Sequence, residues 1–181
     1  FEKHFSFNDL THKGALTGIR VEGPTNSVDQ RIKRLSKELD LLENEYSVLD
    51  VEQSNIFWKK TKNLEVFSNT KKNLIRLVVP VSETLNLLQK LKNVDLSYFL
   101  DWGGSLIWLE LNDISIKILN ELKDITKDHN GYFTLIKVEE DMKASADIFT
   151  IDPIKYKISE KIKKSFDPRR IFNPGKMYTG I

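Results

Sequence analysis

Between Asn73 and Val138 the hydrophobic pattern switches repeatedly between strand-like and helix-like spacing, and this constrains the fold more than any other feature of the chain. Asn73 to Val81 is rich in Leu, Ile and Val and reads as a strand. Ser82-Glu83-Thr84 opens a helix through Leu85, Leu87, Leu88 and Leu91. Val94 to Leu100 is a strand, Asp101-Trp102-Gly103-Gly104 a turn, and Ser105 to Leu111 a further strand. A helix then runs from Asp113 through Ile114, Ile118, Leu119, Leu122 and Ile125. His129-Asn130-Gly131 ends it, because Asn and Gly tolerate the left-handed backbone of a helix C-terminus. Tyr132 to Val138 is the last strand of the series. The order β-α-β-β-α-β predicts an α+β fold with a ferredoxin-like sheet and helices mainly on one face.

Upstream, the alternation from Ala15 to Val21 predicts a strand, punctuated by Gly23-Pro24. Asn26 or Ser27 can cap a helix, with Gln30 completing a capping box. Val28, Ile32, Leu35, Leu39 and Leu42 fall on one face of it. Tyr46 to Val51 reads as a strand, so an N-terminal β-α-β unit is expected to extend the sheet. Ser54 to about Lys62 reads as a short helix with Phe57 and Trp58. The last helix runs from Pro153 to about Phe166 and stops before Asp167-Pro168. The expected organisation is a flexible segment at 1–13, one domain at 14–166 and a tail at 167–181. Phe1 stands where an initiating Met would, so a fragment or processed product is expected.

Several chemistries are excluded. The chain has no cysteine, which removes disulfides, thiolate metal sites and a Cys nucleophile. His4, His12 and His129 are scattered, so no metal site is expected. Gly175-Lys176 has no upstream glycine to make a phosphate-binding loop, and Gly14 and Gly18 do not form a dinucleotide fingerprint. No Gly-x-Ser-x-Gly elbow marks a nucleophile. His129 reads as a solvated turn residue, and Glu139, Glu140 and Asp141 as a solvated loop. The net charge of +2 calls for neither nucleic acid nor an anionic membrane. No apolar run is long enough to insert into a membrane. A cytoplasmic location is expected, with membrane association only through partner subunits.

Two stretches carry more information. Asp101-Trp102-Gly103-Gly104 sets a flat ring beside two glycines that permit positive φ and close approach. It serves either as a structural turn with Trp102 over the core or as a surface that a ligand approaches. The segment from Phe166 to Tyr178 combines Ile171, Phe172, Met177 and Tyr178 with Pro, Gly, Lys and Arg at a terminus where chains are usually disordered. It either packs on its own domain or docks elsewhere, and its cations can meet a carboxylate or phosphate.

These stretches resemble a known family. Phe-Asp-Pro followed by Ile-Phe-Asn-Pro-Gly-Lys is similar to the closing segment of FAD-linked oxidases of the vanillyl-alcohol oxidase type. The Asp-Trp-Gly-Gly turn, the strand with Trp108, Gly131 to Leu135 and Gly18 to Gly23 look like the FAD-binding subunits of glycolate oxidase within it. The resemblance runs from about Ala15 to Tyr178. It implies the substrate-side cap domain of a flavin-dependent 2-hydroxy-acid oxidoreductase, with FAD bound mainly by a domain absent from this chain. Trp102, Gly103, Gly104, Asn173, Pro174, Gly175 and Lys176 become candidate contacts at the cap–flavin interface, while no catalytic residue is assigned. The implied partners are the chain's own N-terminal FAD-binding domain, other glycolate oxidase subunits and a small 2-hydroxy acid. Where these subunits often have a histidine after the glycine, this sequence has Tyr132, and the fragment alone is expected to be inactive. The competing expectation is a ferredoxin-like ligand-binding or assembly module without catalysis.

Overall fold

Pro80 cannot donate to a sheet and fixes the backbone at the start of a helix, so the strand before it must end there. In the computed structural model of the chain, β3 (Asn73–Val78) does end there and α4 (Val81–Lys90) begins. Described are residues 4–7, 10–13, 15–42, 46–68, 72–139, 142, 147–176, 178 and 181. The chain divides into two compact units, Phe1–Asn69 and Thr70–Ile181.

In the second unit, β4 (Leu96–Asp101), β5 (Leu106–Leu111), α5 (Ile116–Asp128) and β6 (Tyr132–Lys137) follow α4. The fold is α+β, with one four-stranded antiparallel sheet in the spatial order β4-β5-β3-β6. Opposed residues in an antiparallel pair share a face, so the register sorts the side chains. Ile75 and Leu77 lie opposite Leu109 and Ile107 on one side and Leu135 and Phe133 on the other. All six are buried with Leu87 and Leu91 of α4 and Leu119 and Leu122 of α5. This is the core.

The caps explain the boundaries. Ser115, rather than Asp113, caps α5, its Oγ accepting from the Ile118 amide at 3.2 Å. At its other end the Gly131 amide donates to the Thr126 carbonyl at 2.8 Å and the Asn130 amide to Lys127 at 2.9 Å. That is a Schellman ending with Asn130, φ 54°, as its left-handed residue. Gly131 is needed for another reason. A Cβ there would stand 2.5 Å from Val79 Cγ1 and 2.9 Å from the Val78 carbonyl oxygen.

His129 departs from the solvated reading. It is buried, with Nδ1 2.7 Å from the Ile125 carbonyl, so Nδ1 carries the proton that makes this bond. Glu139 is exposed, while Glu140 and Asp141 lie outside the described residues.

After β6 the chain returns along its outer edge. The Leu135 amide donates to Ile148 at 2.8 Å and Thr134 bridges to Phe149, an edge cover the sequence pattern did not indicate. Helix α6 (Pro153–Phe166) follows, capped by Asp152, whose side chain accepts from the Ile154 and Lys155 amides at 2.9 and 3.0 Å.

The first unit differs from the expected β-α-β extension. Residues 15–24 and 46–50 form no strand, and the four-stranded sheet takes all its strands from Asn73 onward. Alternating side chains make a strand only where a partner ladder exists, and here none is supplied. The strands of this unit are β1 (His4–Phe7) and β2 (Leu10–Lys13), paired antiparallel within the segment expected to be flexible. Helix α1 (Thr25–Glu38) has Pro24 at its N-cap position and no side-chain cap, so the expected Ser27–Gln30 box is not used. Its apolar stripe is only half covered: Val28, Ile32 and Leu35 are intermediate, and Leu39 and Leu42 exposed. Helix α2 (Val51–Lys62) starts at a capping box in which Asp50 accepts from the Gln53 amide at 2.8 Å and Gln53 from the Asp50 amide at 3.1 Å. This box converts the expected strand at Tyr46–Val51 into a helix start. The short α3 (Glu65–Ser68) completes the unit. No helix among the described residues is long and apolar enough to cross a membrane.

Candidate functional site

The sheet face opposite α4 and α5 carries a row of unlike residues. Register puts Phe99, Trp108, Arg76 and Thr134 side by side across all four strands. All four are half-buried, and Tyr132, at the same end of the sheet as the turn below, is exposed. Arg76 stands in the centre, on an inner strand. Its guanidinium lies 5.4 Å from the centroid of the Trp102 ring, a cation–π arrangement.

Trp102 reaches that position from the turn joining β4 to β5. Trp102, Gly103 and Gly104 all have positive φ, at 53°, 64° and 101°. The strain at Trp102 is held by its surroundings. Asp101 accepts from the Trp102 amide at 2.7 Å, the Ser105 hydroxyl donates to the Trp102 carbonyl at 3.1 Å, and Thr84 of α4 donates to the Gly104 carbonyl at 2.7 Å. Trp102 stays 58% exposed, so it does not cap the core. Nothing lies within 4 Å of a Cβ built at Gly103 or Gly104. Those glycines supply backbone conformation and leave open space beside the turn.

The tail is built differently. Asp167 ends α6, and its buried carboxylate accepts from the Ile171 and Phe172 amides, each at 2.9 Å. Lys163 contributes a 2.8 Å ion pair to the same carboxylate and also donates to the Phe172 carbonyl. Farther on, Tyr178 meets the rings of Phe149 and Tyr156 at centroid distances of 6.0 and 6.3 Å. Between these anchors Asn173, Pro174, Gly175 and Lys176 are exposed. Their backbone bonds are local: the Gly175 amide donates to Ile181 at 2.7 Å and the Lys176 amide to Asn173 at 3.3 Å. The described contacts of the Trp102 turn go to Arg76, Asp101, Thr84 and Ser105.

The Lys163 ammonium, with the two amides, holds the Asp167 carboxyl down to about 2, against the opposing effect of desolvation. A depressed carboxylate contributes stability above its unfolded value and loses it as pH falls through the folded one. The clasp should therefore open between about pH 4 and about pH 2. Hydrogen exchange at the Ile171 and Phe172 amides is expected to lose protection across that window, and Asp167→Asn to lose it at neutral pH. Equal protection in that variant would remove the clasp from the account.

Helix α6 turns its apolar stripe outward. Ile154, Ile158, Ile162 and Phe166 recur every four residues and are all exposed, Phe166 at 84%. Tyr156, Ser159 and Lys163 take the more covered side. Ile171 and Phe172 add to the exposed apolar surface. From Asp152 to Lys176 the segment carries Lys155, Lys157, Lys161, Lys163, Lys164, Arg169, Arg170 and Lys176 against Asp152, Glu160 and Asp167. An open cleft of about 410 Å³ beside it is lined by Tyr132, Thr134, Phe149, Lys155, Ile158 and Tyr178, among others.

Sequence reasoning missed Arg76, the Asp167 clasp and the outward stripe. Each left a signal: a charge inside an apolar strand, a Lys–Asp pair four apart at a helix end, and an Ile-Ile-Ile-Phe repeat of four. Among the described residues no group of His, Asp or Glu is placed to hold a metal ion. The arrangement is suited to binding and covering, through exposed rings, one guanidinium and an apolar strip. No family model, curated protein or solved structure matches the chain.

Proposed function

We propose that this chain is the substrate-side cap of a flavin-dependent 2-hydroxy-acid oxidoreductase of the glycolate oxidase type, working with an FAD-binding domain that the chain does not contain. The observation that carries this reading is the row of rings and one guanidinium across the sheet face opposite α4 and α5. One face is sealed by α4 and α5, while the opposite one offers Arg76, Trp108 and Trp102. A ferredoxin-like domain is the finer fold reading, supported by the β-α-β-β-α-β order and the antiparallel arrangement β4-β5-β3-β6.

The candidate residues fit a planar ring system at the turn, where the space beside Gly103 and Gly104 is open and Trp102 presents a flat face. When bound, FAD accepts the hydride from the hydroxy acid. The chain's own part is to cover the ring, exclude water and orient the acid. The exposed strip of α6 and the tail with Asn173, Pro174, Gly175 and Lys176 is then the surface that docks on the flavin domain, and other subunits of the complex are its further partners.

A second reading, an assembly module without catalysis, is favoured by that same exposed strip, because a basic-rimmed apolar helix face also suits a purely structural partner. Flavin retention separates the two. The polypeptide extended by the sequence encoded upstream should purify yellow, with bound FAD, while this chain alone stays colourless. A colourless extended polypeptide, purified gently and folded by circular dichroism, would count against the cap reading and leave the assembly module.

A further inference from the structure

Arg76 is the one charged residue of β3. It sits mid-strand on inner strand β3, half-buried between Trp108 and Thr134. A guanidinium has five donors in a rigid fork and is always charged. Partly withdrawn from water, such a group ordinarily finds a carboxylate or carbonyl. Among the described residues the Arg76 guanidinium makes no hydrogen bond and no ion pair, and its contact is the face of Trp102. The nearby carboxylates are committed elsewhere. Asp101 accepts from the Trp102 amide and Glu110, in the next row, pairs with Lys72 at 3.4 Å.

The Trp102 contact orients the guanidinium without using its donors. The ring is itself held by the Asp101, Ser105 and Thr84 hydrogen bonds of the turn. A positioned cation with unspent donors, on a face carrying aromatic rings, is the arrangement that takes a planar anion in two parallel hydrogen bonds.

We infer that Arg76 is a carboxylate-binding residue, and that the sheet face around it binds a small hydroxy acid through its carboxylate. The choice of a hydroxy acid rests on the flavin-cap reading; the carboxylate site itself stands on the geometry of Arg76, Trp102 and Trp108. Lys at this position keeps the charge and loses the fork. A surface that merely attracts anions would not distinguish the two, whereas a bidentate site does.

The test is a titration of the whole chain with glycolate, followed by the Arg76 side-chain and Trp102 indole resonances in NMR spectra. Ionic strength is held constant with chloride. Saturable shifts of both signals are expected, with a dissociation constant on the order of millimolar, as befits one charged contact without a closed pocket. Glycolamide, the neutral analogue, should bind at least about tenfold more weakly, as should glycolate to Arg76→Lys. Arg76→Gln, with a folded circular dichroism spectrum, should lose the response.

No saturable response in the wild-type chain, an undiminished response in Arg76→Gln, or sulfate binding as tightly as glycolate overturns the assignment. Because the titration needs no flavin, it fails separately from the cap reading. A glycolate site beside a colourless extended polypeptide keeps Arg76 and overturns the cap. A yellow extended polypeptide with no glycolate response does the reverse.

Discussion

Gly131→Ala is expected to lower the stability of the second unit by about 3 kcal/mol, the upper part of the range for overpacking a close-fitted site. The added Cβ would meet Val79 Cγ1 at 2.5 Å, Thr126 Cγ2 at 2.8 Å and the Val78 carbonyl oxygen at 2.9 Å. Two of these are side-chain methyls on buried residues, with little room to retreat. The third is backbone of β3, which is bonded into the sheet on both sides. Relief requires the α5–β6 connection to move away from β3.

Gly103→Ala is the informative contrast. Its φ of 64° is left-handed but its Cβ would enter open space, so the cost is backbone strain alone, about 1 kcal/mol. Thermal melting followed by circular dichroism separates the mechanisms. Gly131→Ala should melt roughly 10–20 °C below the wild-type chain, and Gly103→Ala roughly 5 °C below. A Gly131→Ala chain melting with the wild type would mean that the α5–β6 connection is not packed against β3 as described.

The same pair of glycines indicates how far the sequence could be read. From Asn73 to Lys137 the apolar periods, Pro80 and the Asn-Gly ending marked every strand and helix to within a few residues. Each of these elements packs against its neighbours in one core. The reason for Gly131 was not legible, because close approach to Val79 is a property of the packed pair and not of the turn. The first unit failed for a related reason. Ala15 to Val21 has strand-like alternation, but a strand needs a ladder, and ladders join residues distant in sequence. At Asp50 the sequence did carry the deciding signal, since Asp-x-x-Gln is a capping box.

The candidate site was legible in part. The turn at Trp102 and the tail stood out by composition. Arg76 did not, because a single charge in an apolar strand looks like an interruption until register puts it across from Trp108. The burial of His129 was also hidden. A helix-ending His-Asn-Gly is solvated in most settings, but here the turn lies under β3, and His129 satisfies the Ile125 carbonyl from inside.

The proposed function requires the Trp102 side of the sheet to meet a flavin, and Trp102 is the residue that would report it. The residue is more than half exposed, beside open space at Gly103 and Gly104. An indole lying against an isoalloxazine quenches its emission, and aromatic rings at a few ångströms are the required geometry. In the extended polypeptide carrying bound FAD, Trp102→Leu should raise flavin fluorescence several-fold. Trp58→Leu, in the first unit on α2, should leave it unchanged. The readout is the steady-state emission and lifetime of the bound flavin, with FAD content checked by absorbance in each preparation. A several-fold gain confined to Trp102→Leu is the predicted result, and equal emission from wild type and Trp102→Leu at equal FAD content would contradict the account.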